Sequence, residues 1–186
     1  MTRFGLDIGA TKTSGVAVAD DGTVLAEVRE PTALGPDGLL ATAARVVEHL
    51  RRGAGTPADP IGIGVPGLVD PDTGVVEHAV NLGLNGDRVE LAAALAHRLG
   101  HAVVVENDVN AATLGAAEVT GATDLGYLSL GTGLAAGLLL DGRLRRGHLG
   151  AAGEIGHIPV DPAGARCQCG QRGCLETVAS GSALAT

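Results

Sequence analysis

The chain has 186 residues, 45% hydrophobic and 18% charged, which suits one large or two small packed domains and argues against disorder. A formal net charge of −8 speaks against a basic nucleic-acid surface, and the apolar runs are too short to span a bilayer. No charged-then-apolar leader opens the chain, so a cytoplasmic home is expected, where thiols stay reduced and free for metal. Phe4 and Tyr127 are the only large aromatic residues, so ligand recognition has to rest on hydrogen bonds rather than ring stacking.

Arg3 to Ile8 alternates and turns at Gly9, Val16 to Ala19 leads to Asp20-Asp21-Gly22, and Thr23 to Val28 comes next: a three-strand meander. Its first turn carries Asp7-Ile8-Gly9-Ala10-Thr11-Lys12-Thr13. Small residues and hydroxyls there suit amides aimed at phosphate, with Lys12 adding positive charge. Asp7, at a strand end, is placed to face magnesium, which prefers one or two carboxylates plus substrate phosphates. A plain hairpin with a polar turn is the blander alternative.

Pro36 and Asp37 open a helical stripe of Leu39, Leu40, Ala43, Val46, Val47 and Leu50, closed by Arg51, Arg52 and Gly53. The strand Ile61 to Val65 runs into Pro66-Gly67-Leu68-Val69-Asp70, where Gly67 permits close backbone approach to a ligand. Asn81 reads equally as turn chemistry, and His78 receives no role. Asp87 with Glu90 resembles a capping box before a second helix, striped by Leu91, Leu95 and Leu99 and ending at Gly100. His49, His97 and His101 are expected to face solvent.

The strand Ala102 to Glu106 delivers Asn107-Asp108 to an alanine-rich helix, Val109 to Glu118. Asp108 suits a helix cap, and it also suits the carboxylate that accepts a proton in phosphoryl transfer, kept ionised by the helix dipole. Leu128-Ser129-Leu130-Gly131-Thr132-Gly133 then repeats the opening: strand, glycine-threonine turn, Leu134 to Leu140, Asp141-Gly142, and a third strand at Arg143 and Leu144. Two such hairpins, one per lobe, suit gripping a polyphosphate from both sides. Ser129 stands where Asp7 stands, so only the first copy offers a carboxylate to a metal.

Glu154-Ile155-Gly156-His157 precedes Cys167-Gln168-Cys169-Gly170-Gln171-Arg172-Gly173-Cys174-Leu175-Glu176, which holds every cysteine of the chain. One histidine and three cysteines supply four tetrahedral zinc ligands, with Gly170 and Gly173 allowing tight turns between them. Three buried thiols and a core histidine are the alternative. Glu154 and Glu176 flank this cluster, as a hydroxyl-binding surface would require.

Gly150 to His157 and the Cys167-x-Cys169-Gly170-x-x-Gly173-Cys174-x-Glu176 segment resemble the two signature segments of the ROK family of sugar kinases and sugar-responsive repressors. The resemblance implies an α/β, actin-like sugar-kinase fold with ribonuclease H-like duplicated lobes, 1–120 and 121–186, the second lobe incomplete. It implies structural zinc on His157, Cys167, Cys169 and Cys174. Glu154, His157, Glu176, Asn81, Asn107 and the Gly67 turn would contact sugar, with His157 serving both metal and substrate. Asp7, Gly9, Thr11, Lys12, Gly131, Thr132 and Gly133 look like the two phosphate motifs, and Asp108 matches the family's base.

The activity so implied is ATP- and magnesium-dependent phosphorylation of a hexose, glucose first, at its 6-hydroxyl. A non-catalytic sugar sensor or remnant is the alternative. Repressors of the family carry a DNA-binding segment ahead of the Asp7 region, where this chain has six residues, so a repressor is not expected; charge and apolar run length give no expectation of a nucleic-acid or membrane partner. The zinc knuckle and sugar glutamates argue against an actin- or chaperone-like ATPase. Ala10 and Ala135-Ala136 depart from glycines found in many relatives. The family continues past Ser180-Gly181-Ser182 into helices that supply the adenosine pocket, so the sequence is expected to be either a fragment or a shortened protein, and dimerisation is the family habit.

Overall fold

The computed structural model describes residues 1–58, 60–84 and 88–185, and its contacts divide the chain into two compact units, Met1–Asp108 and Val109–Thr186. The division falls twelve residues before the lobe boundary drawn at residue 120, so the helix after Asp108 belongs to the second unit.

In the first unit, β1 (Thr2–Ile8), β2 (Lys12–Ala19) and β3 (Val24–Pro31) form the expected antiparallel meander. Both later strands are longer than the periodicity suggested. Lys12 therefore lies on β2 opposite Pro31, at the rim of the turn rather than inside it. Strands β4 (Ile61–Val65) and β7 (Val103–Asn107) join parallel to β1, giving the sheet order β3-β2-β1-β4-β7. A small hairpin of β5 (Leu68–Asp70) and β6 (Val75–Glu77) leaves the end of β4.

Helix α1 (Pro36–Ala54) begins with proline, whose missing amide costs nothing there, and keeps Asp37 in its first turn and Arg51 and Arg52 in its last, complementing the dipole. Its stripe Leu39, Ala43, Val46, Val47 and Leu50 is fully buried against Phe4, Leu6 and Ile8 in one core. Each large side chain so buried contributes roughly 1.5–3 kcal/mol. A side chain at Gly15 would meet Val46 at 2.4 Å, so glycine on β2 is what lets α1 settle on the sheet. Helix α2 (Leu91–Leu99) buries Leu91, Leu95 and Leu99, and the Arg51 guanidinium donates to the Leu99 carbonyl at 2.8 Å, joining the ends of the two helices. Glu90 occupies the cap position of α2 without a side-chain cap bond, and Asp87, its expected partner, lies outside the described residues.

In the second unit, α3 (Asp108–Thr120) precedes β8 (Leu125–Leu130), β9 (Leu134–Leu140) and β10 (Arg143–Leu144), an antiparallel meander that repeats the first. Asp141 and Gly142 both take positive φ, 53° and 68°, as a two-residue hairpin turn between right-twisted strands demands. Helix α3 lies on β9 so closely that a side chain at Gly137 would meet the Thr113 hydroxyl at 1.8 Å. Leu128 and Leu130 occupy the places that the buried Leu6 and Ile8 hold in the first copy, yet they are 60% and 64% exposed. Short helices α4 (Glu176–Ala179) and α5 (Gly181–Leu184) end the described chain. No helix among the described residues is long and apolar enough to cross a membrane.

Candidate functional site

Parallel pairing aligns the carboxyl ends of β1, β4 and β7, the edge where open α/β sheets bind ligands. Asp7 pairs with Gly64, which pairs with Glu106, and Val65 pairs with Asn107. Strand spacing puts the ends of β1 and β7 about 10 Å apart. Beyond that edge come the Gly9–Thr11 turn from β1, Gly67 after β4, and Asp108 directly after β7. Desolvation raises the Asp7 carboxyl above its ordinary value, opposed by the ammonium of Lys12.

The Asn107 side-chain amide donates to the Gly67 carbonyl at 3.1 Å, fixing that turn. Gly67 has φ +105°, and a side chain there would strike the Glu77 carbonyl at 2.7 Å, so only glycine fits. Asp108 is the first residue of α3. Asn81 lies exposed on a 3-10 turn, Val80–Leu82. His49 and His97 are exposed, whereas His101 is half-buried, correcting its expected place in solvent.

The second-unit turn is held from several sides. Glu176 Oε2 accepts the Leu134 amide at 3.0 Å, and a side chain at Gly133 would meet that oxygen at 2.7 Å. Glu154 precedes the 3-10 turn Ile155–His157, and its Oε2 is 3.8 Å from His157 Nε2. Gly153 has φ +95° with its Cβ position 1.8 Å from the Ala136 carbonyl, and Gly156 comes as close as 2.2 Å to that of Leu134. These two glycines let the first signature segment lie directly on β9.

His157, Cys167, Cys169 and Cys174 bring one ligand atom each within 4.8 Å of one another. Cys167 Sγ to His157 Nδ1 and Cys169 Sγ to Cys174 Sγ are both 3.6 Å. Ligand atoms around tetrahedral zinc stand roughly 3.5–3.8 Å apart, so the four residues fit that ion. Nδ1 faces the sulfurs and Nε2 faces Glu154. Burial, reinforced by hydrogen bonding to the Cys169 and Cys167 thiols, pushes the Cys174 thiol up to about 12. Sulfurs this close ionise together only beside a cation.

Residues 3–186 match the sequence profile of the ROK family. The chain belongs to the ROK family. A glucokinase from Streptomyces coelicolor is 38% identical over 184 residues, covering 97% of this chain and 57% of that protein. A xylose repressor from Bacillus subtilis is 32% identical, covering 97% of this chain and 48% of its own length. The crystal structure of a ROK family glucokinase from Streptomyces griseus in complex with glucose and AMPPNP superposes with TM-score 0.86 at 36% identity, over 99% of this chain and 59% of that one. The chain thus carries the ROK fold over a little more than half the length of these glucokinases.

Sequence reasoning missed Thr32, Ser180 and Ser182. The Thr32 hydroxyl donates to the Gly9 carbonyl at 2.7 Å and that of Ser182 to the Thr132 carbonyl at 2.6 Å. Each contact joins residues remote in sequence, and no spacing rule points to either.

Proposed function

We propose that this ROK chain carries sugar- and phosphate-handling residues of an ATP-dependent hexose kinase acting on the 6-hydroxyl of glucose. The observation that supports this most is the shared carboxyl edge of β1, β4 and β7, from which the Gly9–Thr11 turn, Gly67 and Asp108 all emerge. Phosphoryl transfer asks of a protein mainly positioning and charge stabilisation, plus a carboxylate for the hydroxyl proton.

In this reading the Asp108 carboxylate accepts the proton of the sugar hydroxyl as that oxygen attacks the terminal phosphorus. The bond to the bridging oxygen breaks and ADP leaves. Asn107, already committed to the Gly67 carbonyl, orients the neighbouring backbone, and Asn81 adds a sugar contact. Glu154, His157 and Glu176 bind sugar hydroxyls, with Glu176 keeping one oxygen on the Leu134 amide. Lys12 and the amides of the Gly9–Thr11 and Gly131–Gly133 turns hold the phosphates. Magnesium, when bound, neutralises phosphate charge, and Asp7 is the carboxylate offered to it. His157, Cys167, Cys169 and Cys174 would hold zinc, which when bound would brace the sugar-binding segment, and Nε2 of His157 would remain for substrate.

Sugar-dependent ADP release with magnesium ATP, scanned over a hexose panel against a no-sugar control, tests this reading. Release with glucose above all other hexoses is expected. The similarity to xylose repressors favours a second reading, sugar binding without transfer; sugar binding with no release for any sugar would replace the first by the second.

A further inference from the structure

Both glycine-threonine turns are held by a pair of linked hydroxyls and one backbone amide, supplied from unrelated parts of the chain and attached to different carbonyls of each turn. In the first unit the Thr32 hydroxyl donates to the Gly9 carbonyl at 2.7 Å, and the Thr32 amide donates to the Thr11 carbonyl at 3.2 Å. Thr13 Oγ1 lies 2.9 Å from Thr32 Oγ1. Since the single Thr32 hydroxyl proton is committed to Gly9, the proton in this second bond comes from Thr13, whose side chain is fully buried.

The second unit uses the same kinds of group, divided between two residues and placed on different carbonyls. Ser182 Oγ donates to the Thr132 carbonyl at 2.6 Å, the Gly181 amide donates to the Gly131 carbonyl at 2.8 Å, and Ser180 Oγ lies 3.0 Å from Ser182 Oγ. Ser180, fully buried, is again the inner donor, and it accepts the Ala183 amide at 3.2 Å. In each turn two carbonyls are drawn back by one hydroxyl and one amide. The amides of Ala10 and Thr11, and of Thr132 and Gly133, have no acceptor among the described residues.

We propose that Thr32 and Ser182 are positioning residues for the nucleotide phosphates, each tying back turn carbonyls so that two neighbouring amides remain as free anion donors. The proposal rests on the kinase reading of the turns. Carbonyl oxygens repel phosphate oxygens, so bonds that hold a turn's carbonyls back leave its converging amides to meet an anion. Chains of hydroxyls polarise one another, which makes the inner Thr13 and Ser180 part of the same device. Gly181 belongs to it sterically, because a side chain there would meet the Gly131 carbonyl at 2.6 Å.

The test is calorimetric binding of magnesium tripolyphosphate and, separately, glucose to the 186-residue chain and to Thr32→Val, Thr32→Ser, Ser182→Ala and Gly181→Ala, with a thermal melt for each. Losing one net hydrogen bond predicts about fivefold to tenfold weaker tripolyphosphate binding for Thr32→Val and Ser182→Ala. Gly181→Ala is expected to behave like them. Glucose affinity should be unchanged, and Thr32→Ser should bind tripolyphosphate like the unaltered chain. Tripolyphosphate binding within twofold of normal in both hydroxyl-deleted variants overturns the proposal and leaves the kinase reading standing. Equal loss of both ligands, tracking a lowered melting temperature, also overturns it by making the hydroxyls merely structural. Absence of tripolyphosphate binding by the unaltered chain removes the phosphate reading and the proposal together.

Discussion

Glu176 Oε2 accepts the backbone amide of Leu134 at 3.0 Å, which ties the last residue of the second signature segment to the residue just after the Gly131–Gly133 turn. One carboxylate is thereby shared between a structural bond and a proposed sugar contact. Glu176→Gln keeps an acceptor for Leu134, whereas Glu176→Ala leaves that amide without one. The alanine variant should lose about 1–3 kcal/mol of stability, and the glutamine variant should melt close to normal. Both should bind glucose more weakly, which titration of the two variants checks.

Asp7 opposes stability for the sake of its position. Its folded carboxyl has a raised pKa, so the native state holds that proton more tightly than the unfolded chain, and stability falls as pH rises from the usual 3.8 through the folded value. Above that window the cost is fully present. Asp7→Asn should therefore melt slightly higher at pH 7, on the order of 1–2 °C, and lose this advantage below the window. Magnesium-dependent nucleotide binding should be lost. A melt that is lower at pH 7 would show that the carboxylate stabilises the fold.

Zinc should be present at one equivalent under reducing conditions, because the 3.6 Å separations match a tetrahedral ion and the thiols cannot otherwise ionise together. Chelation, or Cys174→Ala, should loosen the 154–176 region before the first unit, visible as faster amide exchange confined to those residues. Metal analysis finding no zinc, or unchanged exchange after chelation, contradicts the assignment.

Gly173 offers a backbone test of the same knuckle. It has φ +64°, and its Cβ position lies 1.5 Å from the Asp161 carbonyl, so Gly173→Ala meets both a strained conformation and a collision. A loss of more than about 2 kcal/mol is expected, with weakened zinc affinity. Gly170→Ala, also at positive φ but in open space, should cost less.

The meanders were legible because alternation and Asp-Gly turns are local signals, and the strand-to-helix passage at Asn107–Asp108 was equally plain. The β5–β6 hairpin was not, since three residues per strand carry too little alternation to read. Helix α1 was expected to stop at Gly53, but it runs to Ala54 with Gly55 beyond it. Gly53 is there for packing, as its Cβ position sits 3.0 Å from Ala26 on β3. For the candidate site, the histidine and three cysteines proposed to hold zinc form a short-range pattern and so stood out. Thr32 and Ser182 act 23 and 50 residues away from the carbonyls they hold, a relation that only the folded chain displays.

The most direct measurement of the central claim is the turnover rate of Asp108→Asn with magnesium ATP and saturating glucose, beside glucose binding by the same variant. Losing the proton acceptor while keeping the shape predicts a fall in kcat of about 100-fold or more, with glucose affinity retained. A kcat within a few fold of the unaltered chain would contradict Asp108 as the base and, with it, the chemistry assigned to the carboxyl edge of the first sheet.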